Sequence, residues 1–163
     1  MIMGEEQRYV DILVDVLDKQ IKTLREVLEI TKRQGMIATA LEFDEEEFDE
    51  TLSRKDACIM RLNELDNGFV SVYERVRRQV QAEPDKYKSK VKKMQELIRT
   101  CTDLGNEIQT LENRNREKLA KCFAGKKKEY NAKQAAAMVA GKYNTTMKNV
   151  GIMNEGYRFN QDK

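Results

Sequence analysis

The residues of this chain that could carry chemistry are few and poorly spaced for it. Its 163 residues include no histidine, which rules out an imidazole general base, a His-containing triad and a zincin-type metal site. No Glu-x-x-His pair exists to build a di-iron centre between helices. Cys58, Cys101 and Cys122 are odd in number and widely spaced. On one helix, Cys101 and Cys122 would lie about 30 Å apart, too far to share a ligand. They read as small core residues and free thiols rather than metal ligands. Glu45, Glu46 and Glu47 are consecutive, so on a helix they point in different directions and suit a helix start better than a paired-carboxylate site. Gly125-Lys126-Lys127-Lys128 lacks the upstream glycine and the Ser/Thr of a phosphate-binding loop. The chain therefore reads as a non-enzyme with no cofactor and no metal.

The elements that would position these residues follow from composition. Charged residues make up 36% of the chain and there is a single proline, Pro84, a balance suited to long solvated helices. No apolar run approaches a membrane span, and the N-terminus lacks the pattern of a secretion signal. The odd number and wide spacing of the cysteines fit a reducing cytoplasm better than a disulfide framework, so a cytoplasmic location is expected. The net charge of +2 conceals a split: residues 1–83 carry 19 acidic and 12 basic side chains, and residues 84–163 carry 9 and 18. Two such halves can fold against each other and compensate, which is the reading preferred here over a nucleic-acid-binding half.

Hydrophobic spacing predicts three long helices over about 5–41, 45–82 and 86–123. In the first, Val10, Leu13, Leu17, Ile21, Leu24, Leu28 and Thr31 recur at alternating steps of three and four. Ile12, Val16 and Val27 widen the stripe, so this helix is expected to meet more than one neighbour. Gly35 marks a possible bend. Asp44, with Glu47 three residues on, is an aspartate version of the capping box. The second stripe runs Phe48, Leu52, Lys55, Ile59, Leu62, Asp66, Phe69, Tyr73, Val76 and Val80, with Lys55 and Asp66 interrupting it. Pro84 forces a turn at Ala82–Asp85. The third stripe runs from Tyr87 through Val91, Met94, Ile98, Cys101, Leu104, Ile108 and Leu111 to Asn115, Leu119 and Cys122. Asn115 on it is a candidate register lock. The expected fold is all-α: an elongated up-down bundle of three long helices, coiled-coil-like and antiparallel, with the second and third as neighbours. Residues 1–124 would form this bundle and 125–163 a partly ordered tail able to turn helical.

The tail differs in composition. Four of the eight glycines fall in its last 39 residues, among apolar side chains that include Tyr130 and Met138. Val139, Tyr143, Met147 and Val150 recur at i, i+4, i+8 and i+11, so they would share one helical face. Gly141 and Gly151 disfavour an autonomous helix there. Val139, Tyr143, Met147, Val150, Tyr130 and Met138 are therefore the candidate partner-binding residues, acting on a partner or on the bundle's own groove. A fourth core helix is the plainer alternative.

Several of these segments together resemble the FlgN family of flagellar type III export chaperones. They are the amphipathic stretch Tyr9 to Arg33; Ala40-Leu41-Glu42-Phe43-Asp44 followed by Arg54-Lys55-Asp56…Ile59…Leu62…Leu65; Asn113-Arg114-Asn115-Arg116-Glu117-Lys118-Leu119; and the ending with Tyr143-Asn144-Thr145-Thr146-Met147 and Gly156-Tyr157-Arg158-Phe159. Asp56 stands where the family usually has glutamate. The resemblance implies a cytoplasmic, non-enzymatic binding protein. It would hold hook–filament junction subunits before export, stop their premature association and deliver them to components of the export apparatus. It would bind no nucleic acid and enter no membrane. A structural homodimeric coiled coil, or a related FliT-type chaperone for another flagellar subunit, would share most of these features.

Overall fold

A computed structural model describes residues 5–124. They form three helices, α1 (Glu5–Thr39), α2 (Glu45–Ala82) and α3 (Pro84–Cys122), in an all-α bundle. The start of α2 is set by Asp44, whose Oδ1 accepts the Glu47 backbone N–H at 3.0 Å. This is one half of the capping box, because the Glu47 carboxylate turns instead to Arg33 of α1, whose Nε donates to it at 2.6 Å. Glu45, Glu46 and Glu47 sit in the first turn of α2, where the helix dipole favours negative charge.

The turn between α2 and α3 is tighter than the sequence suggests. Pro84 lies inside α3 at its first position, where its missing N–H removes a donor that no helix can satisfy internally. The turn contracts to Glu83, which ends α2 by donating its N–H to Gln79 O at 3.1 Å and stands at the N-cap of α3. At the other junction α1 ends at Thr39, short of the expected Leu41, and Leu41 is fully exposed.

Contacts at both ends define the directions. Tyr9 of α1 meets Arg75 of α2, and Arg33 meets Glu47, so α1 and α2 are antiparallel. Asp11 of α1 pairs with Lys90 of α3 at 3.0 Å and Thr31 meets Asn115, so α1 and α3 are parallel. The bundle is up-down-up. α1 is its centre: it packs closely against both α2 and α3, which approach each other far less. This corrects the expectation that α2 and α3 are the neighbours through which the acidic half meets the basic half; that contact falls to α1, as in Asp11–Lys90. The buried ion pair Lys55–Glu112 between them has the base on the acidic helix and the acid on the basic one.

The central place of α1 explains its burial. Val10, Leu13, Leu17, Leu24, Val27 and Ile30 are all buried, as are the polar Gln20, Thr23, Thr31 and Gln34. Ile12, expected to widen the stripe, is exposed. α2 and α3 bury the narrower stripes read from their spacing, including Ile59, Leu62, Phe69 and Val76, and Tyr87, Met94, Ile98 and Ile108. Each such aliphatic side chain contributes about 1.5–3 kcal/mol when fully buried. Exposed pairs such as Lys19–Asp15 add about 0–1 kcal/mol. Among the described residues no helix is long and apolar enough to cross a membrane.

Candidate functional site

Two adjoining features mark one end of the bundle. The first is a buried polar layer to which all three helices contribute. Lys55 of α2 is fully buried. Its Nζ donates to Gln34 Oε1 of α1 and Glu112 Oε1 of α3. Gln34 Nε2 in turn donates to Thr51 Oγ1 at 3.2 Å, and Thr51 Oγ1 donates to Phe48 O at 2.6 Å. Thr31 Oγ1 donates to Val27 O at 2.7 Å and lies 3.3 Å from Glu112 Oε1. Asn115 Nδ2 donates to the Thr31 carbonyl at 2.7 Å. Burial pushes the Lys55 ammonium below its usual range, and the neighbouring Glu112 charge opposes that shift.

The layer assigns structural work to residues that also carry the family resemblance. Lys55 and Asn115 lock α2 and α3 onto α1 from within, and Asn113 accepts a hydrogen bond from Gln109 Nε2 at 3.1 Å on the surface. Sequence reading placed Thr31, Lys55 and Asn115 on their stripes. It missed Gln34, Thr51 and Glu112, because polar residues leave no mark in a hydrophobic pattern. The signal that could have found them is charge: a lysine on an apolar seam demands a carboxylate on a facing helix.

The second feature closes the same end. Phe43, Phe48 and Phe123 form an aromatic cluster with Ile37, Ala38 and Leu119. The Phe43 ring lies 4.6 Å from Phe123, edge to face, and 5.3 Å from Phe48. Beside this cluster in the chain, Met36 is 61% exposed and Leu41 fully so. Phe123 is followed by Ala124 and then by the tail. The predicted partner-binding residues Tyr130, Met138, Val139, Tyr143, Met147 and Val150 lie outside the described residues.

The thiols are buried or half-buried. Cys58 Sγ donates to Glu26 Oε2 at 3.4 Å, and burial followed by that carboxylate raises its pKa. Burial, with the Asp18 charge, pushes Cys101 up to about 12. Among the described residues no group of three or more Cys, Asp or Glu is gathered as metal ligands would be. No family model, curated protein or solved structure matches the chain.

Proposed function

We propose that the protein is a binding protein of the flagellar type III export chaperone kind, working in the cytoplasm without enzymatic activity. In this reading it holds hook–filament junction subunits before export and hands them to the export apparatus. One observation carries the reading. Val139, Tyr143, Met147 and Val150 recur at helical spacing in a tail that follows in the chain from the aromatic end of the bundle, where Met36 and Leu41 are exposed. The segments that resemble the FlgN family add to it. Export clients present amphipathic terminal segments that coil only after assembly, and an adaptable apolar surface covers such a segment reversibly.

The homodimeric coiled coil is the weaker reading. It needs free stripes for self-association, and Leu13, Leu24, Leu62 and Ile98 are buried within one chain. The test is calorimetry of the full chain, a form truncated after Gly125, and Tyr143→Ala against a purified junction-protein terminal segment. Weakened binding in both variants assigns the tail to the client site, and strengthened binding makes it an internal competitor. In either case Tyr143→Ala shifts affinity by about 1–3 kcal/mol. No binding by the full chain, or unchanged affinity in both variants, defeats the proposal.

A further inference from the structure

The hairpin of α2 and α3 gathers like charge at its turn. Residues 74–93 hold eight Lys/Arg against three Asp/Glu. At the opposite end the sequence places both signs: seven carboxylates and no base over residues 42–50 at the start of α2, and Arg114, Arg116, Lys118 and Lys121 near the end of α3. At the turn the bases Arg75, Arg77 and Arg78 of α2 and Lys86, Lys88, Lys90, Lys92 and Lys93 of α3 outnumber the acids Glu74, Glu83 and Asp85, and Lys86 pairs with Glu83 at 3.6 Å. Some of these bases are engaged: Arg75 stacks 4.6 Å over the Tyr9 ring, Arg77 pairs with Glu74, and Lys90 pairs with Asp11. Arg78, Lys88, Lys92 and Lys93 are exposed and make no ion pair with the described residues. An open cleft of about 710 Å³ lies at this turn, lined by Arg75, Arg78, Gln79, Ala82, Glu83 and Lys86.

Like charges held together cost stability, and the exposed Arg78, Lys88, Lys92 and Lys93 make no ion pair among the described residues to offset that cost. A fold that keeps such a conflict keeps it for an external partner. We infer that the α2–α3 turn is a docking surface for an acidic segment of a partner protein, separate from the apolar client surface and independent of that reading. Lys88 and Lys92 are spaced i, i+4 on α3, matching carboxylates one helical turn apart. A continuous phosphate backbone fits less well. Glu74, Glu83 and Asp85 interrupt the bases, so separate acidic side chains that can be spaced around them fit better than an unbroken line of phosphates. Tyr87, the aromatic residue among the α3 lysines, is buried and offers no face for base stacking.

The test uses the full chain and a fluorescent 16-residue peptide with glutamates spaced i, i+4, read by anisotropy at low and moderate salt. Single-stranded DNA of the same formal charge and vesicles containing anionic lipid are run in parallel. The peptide should bind, and raising salt should weaken it. Lys88→Glu with Lys92→Glu should weaken it about tenfold. The same charge change at the far end, Arg114→Glu with Lys121→Glu, should alter it less than about twofold. The first variant should melt no lower than the parent, because it relieves repulsion. No peptide binding, tighter binding of DNA or vesicles, equal losses in both variants, or a lower melting point for the first would each overturn the inference.

Discussion

A Cβ atom built on Gly35 would lie 2.7 Å from Asn115 Oδ1. Real Cβ atoms do not come that close, and Asn115 is not free to swing away, because its Nδ2 is bonded to the Thr31 carbonyl one turn earlier on α1. The glycine is the space that lets the buried amide reach the α1 backbone. Lys118 Nζ, 3.4 Å from the same point, ends a flexible chain and can move. Gly35→Ala gains about 1 kcal/mol of helix propensity but displaces a buried hydrogen-bonded amide, at a cost of about 1–3 kcal/mol. The variant should melt below the parent. Adding Asn115→Ala should remove part of the penalty of Gly35→Ala, which a double-mutant cycle in denaturant would measure. Additive effects would show that the two residues do not interact.

Gly68 is the counterpart. It is also inside a helix, but nothing lies within 4 Å of its built Cβ. Gly68→Ala should stabilise the bundle by about 0.5–1 kcal/mol through backbone entropy alone, a rise of a few degrees by calorimetry. A fall in melting temperature would mean that another surface comes close to α2 there.

The contrast between these glycines shows how far sequence reading reaches. Both are single glycines in helical patterns, and spacing cannot tell a close approach from open solvent. The helices themselves were legible because their buried residues are mostly apolar: the expected bounds of α2 match the observed ones, and Asp44 caps it as its spacing predicts. What stayed hidden depends on a third helix. α1 is flanked on two sides, so Gln20, Thr23 and Gln34 are buried although they are polar. The aromatic cluster of Phe43, Phe48 and Phe123 joins a loop, a helix start and a helix end, and periodicity connects none of them. The two halves do meet, but through α1, where Asp11 pairs with Lys90 of α3, and not through α2, which approaches α3 far less; the net charge of a half does not say which of its helices packs on the other half.

The cysteines should differ sharply in reactivity. Thiolate is the reactive form, and burial pushes Cys101 up to about 12 and raises Cys58. Cys122 is half-buried near the end of α3. Under native conditions at pH 8, iodoacetamide should modify Cys122 first, with Cys58 and Cys101 reacting only when the bundle opens. Peptide mapping by mass spectrometry over time would order the three. Modification of Cys101 as fast as Cys122 would contradict its place in the core.

Lys55 makes the sharpest prediction about stability. It is fully buried, and its partners Gln34 and Glu112 come from the other two helices. Lys55→Met should destabilise by about 3–5 kcal/mol, because it leaves the Glu112 carboxylate buried without its cation. Lys55→Met with Glu112→Leu should recover most of that loss, since well-packed apolar replacement of a buried pair is often neutral or stabilising. The pH dependence has a definite sign. The folded-state pKa of Lys55 lies below the ordinary lysine value of 10.5 because burial disfavours the charged form. The unfolded chain therefore holds this proton more tightly than the fold does. The stability attributable to Lys55 is fully present above pH 10.5 and is lost as pH falls through its folded value. Other lysines and tyrosines titrate in the same alkaline range, so the quantity to follow is the difference between the parent and the double variant, from denaturant midpoints at several pH values. That difference should move in favour of the parent as pH rises toward 10.5. A difference that stayed flat, or moved the other way, would mean that the Lys55 ammonium is no harder to keep charged in the fold than in water.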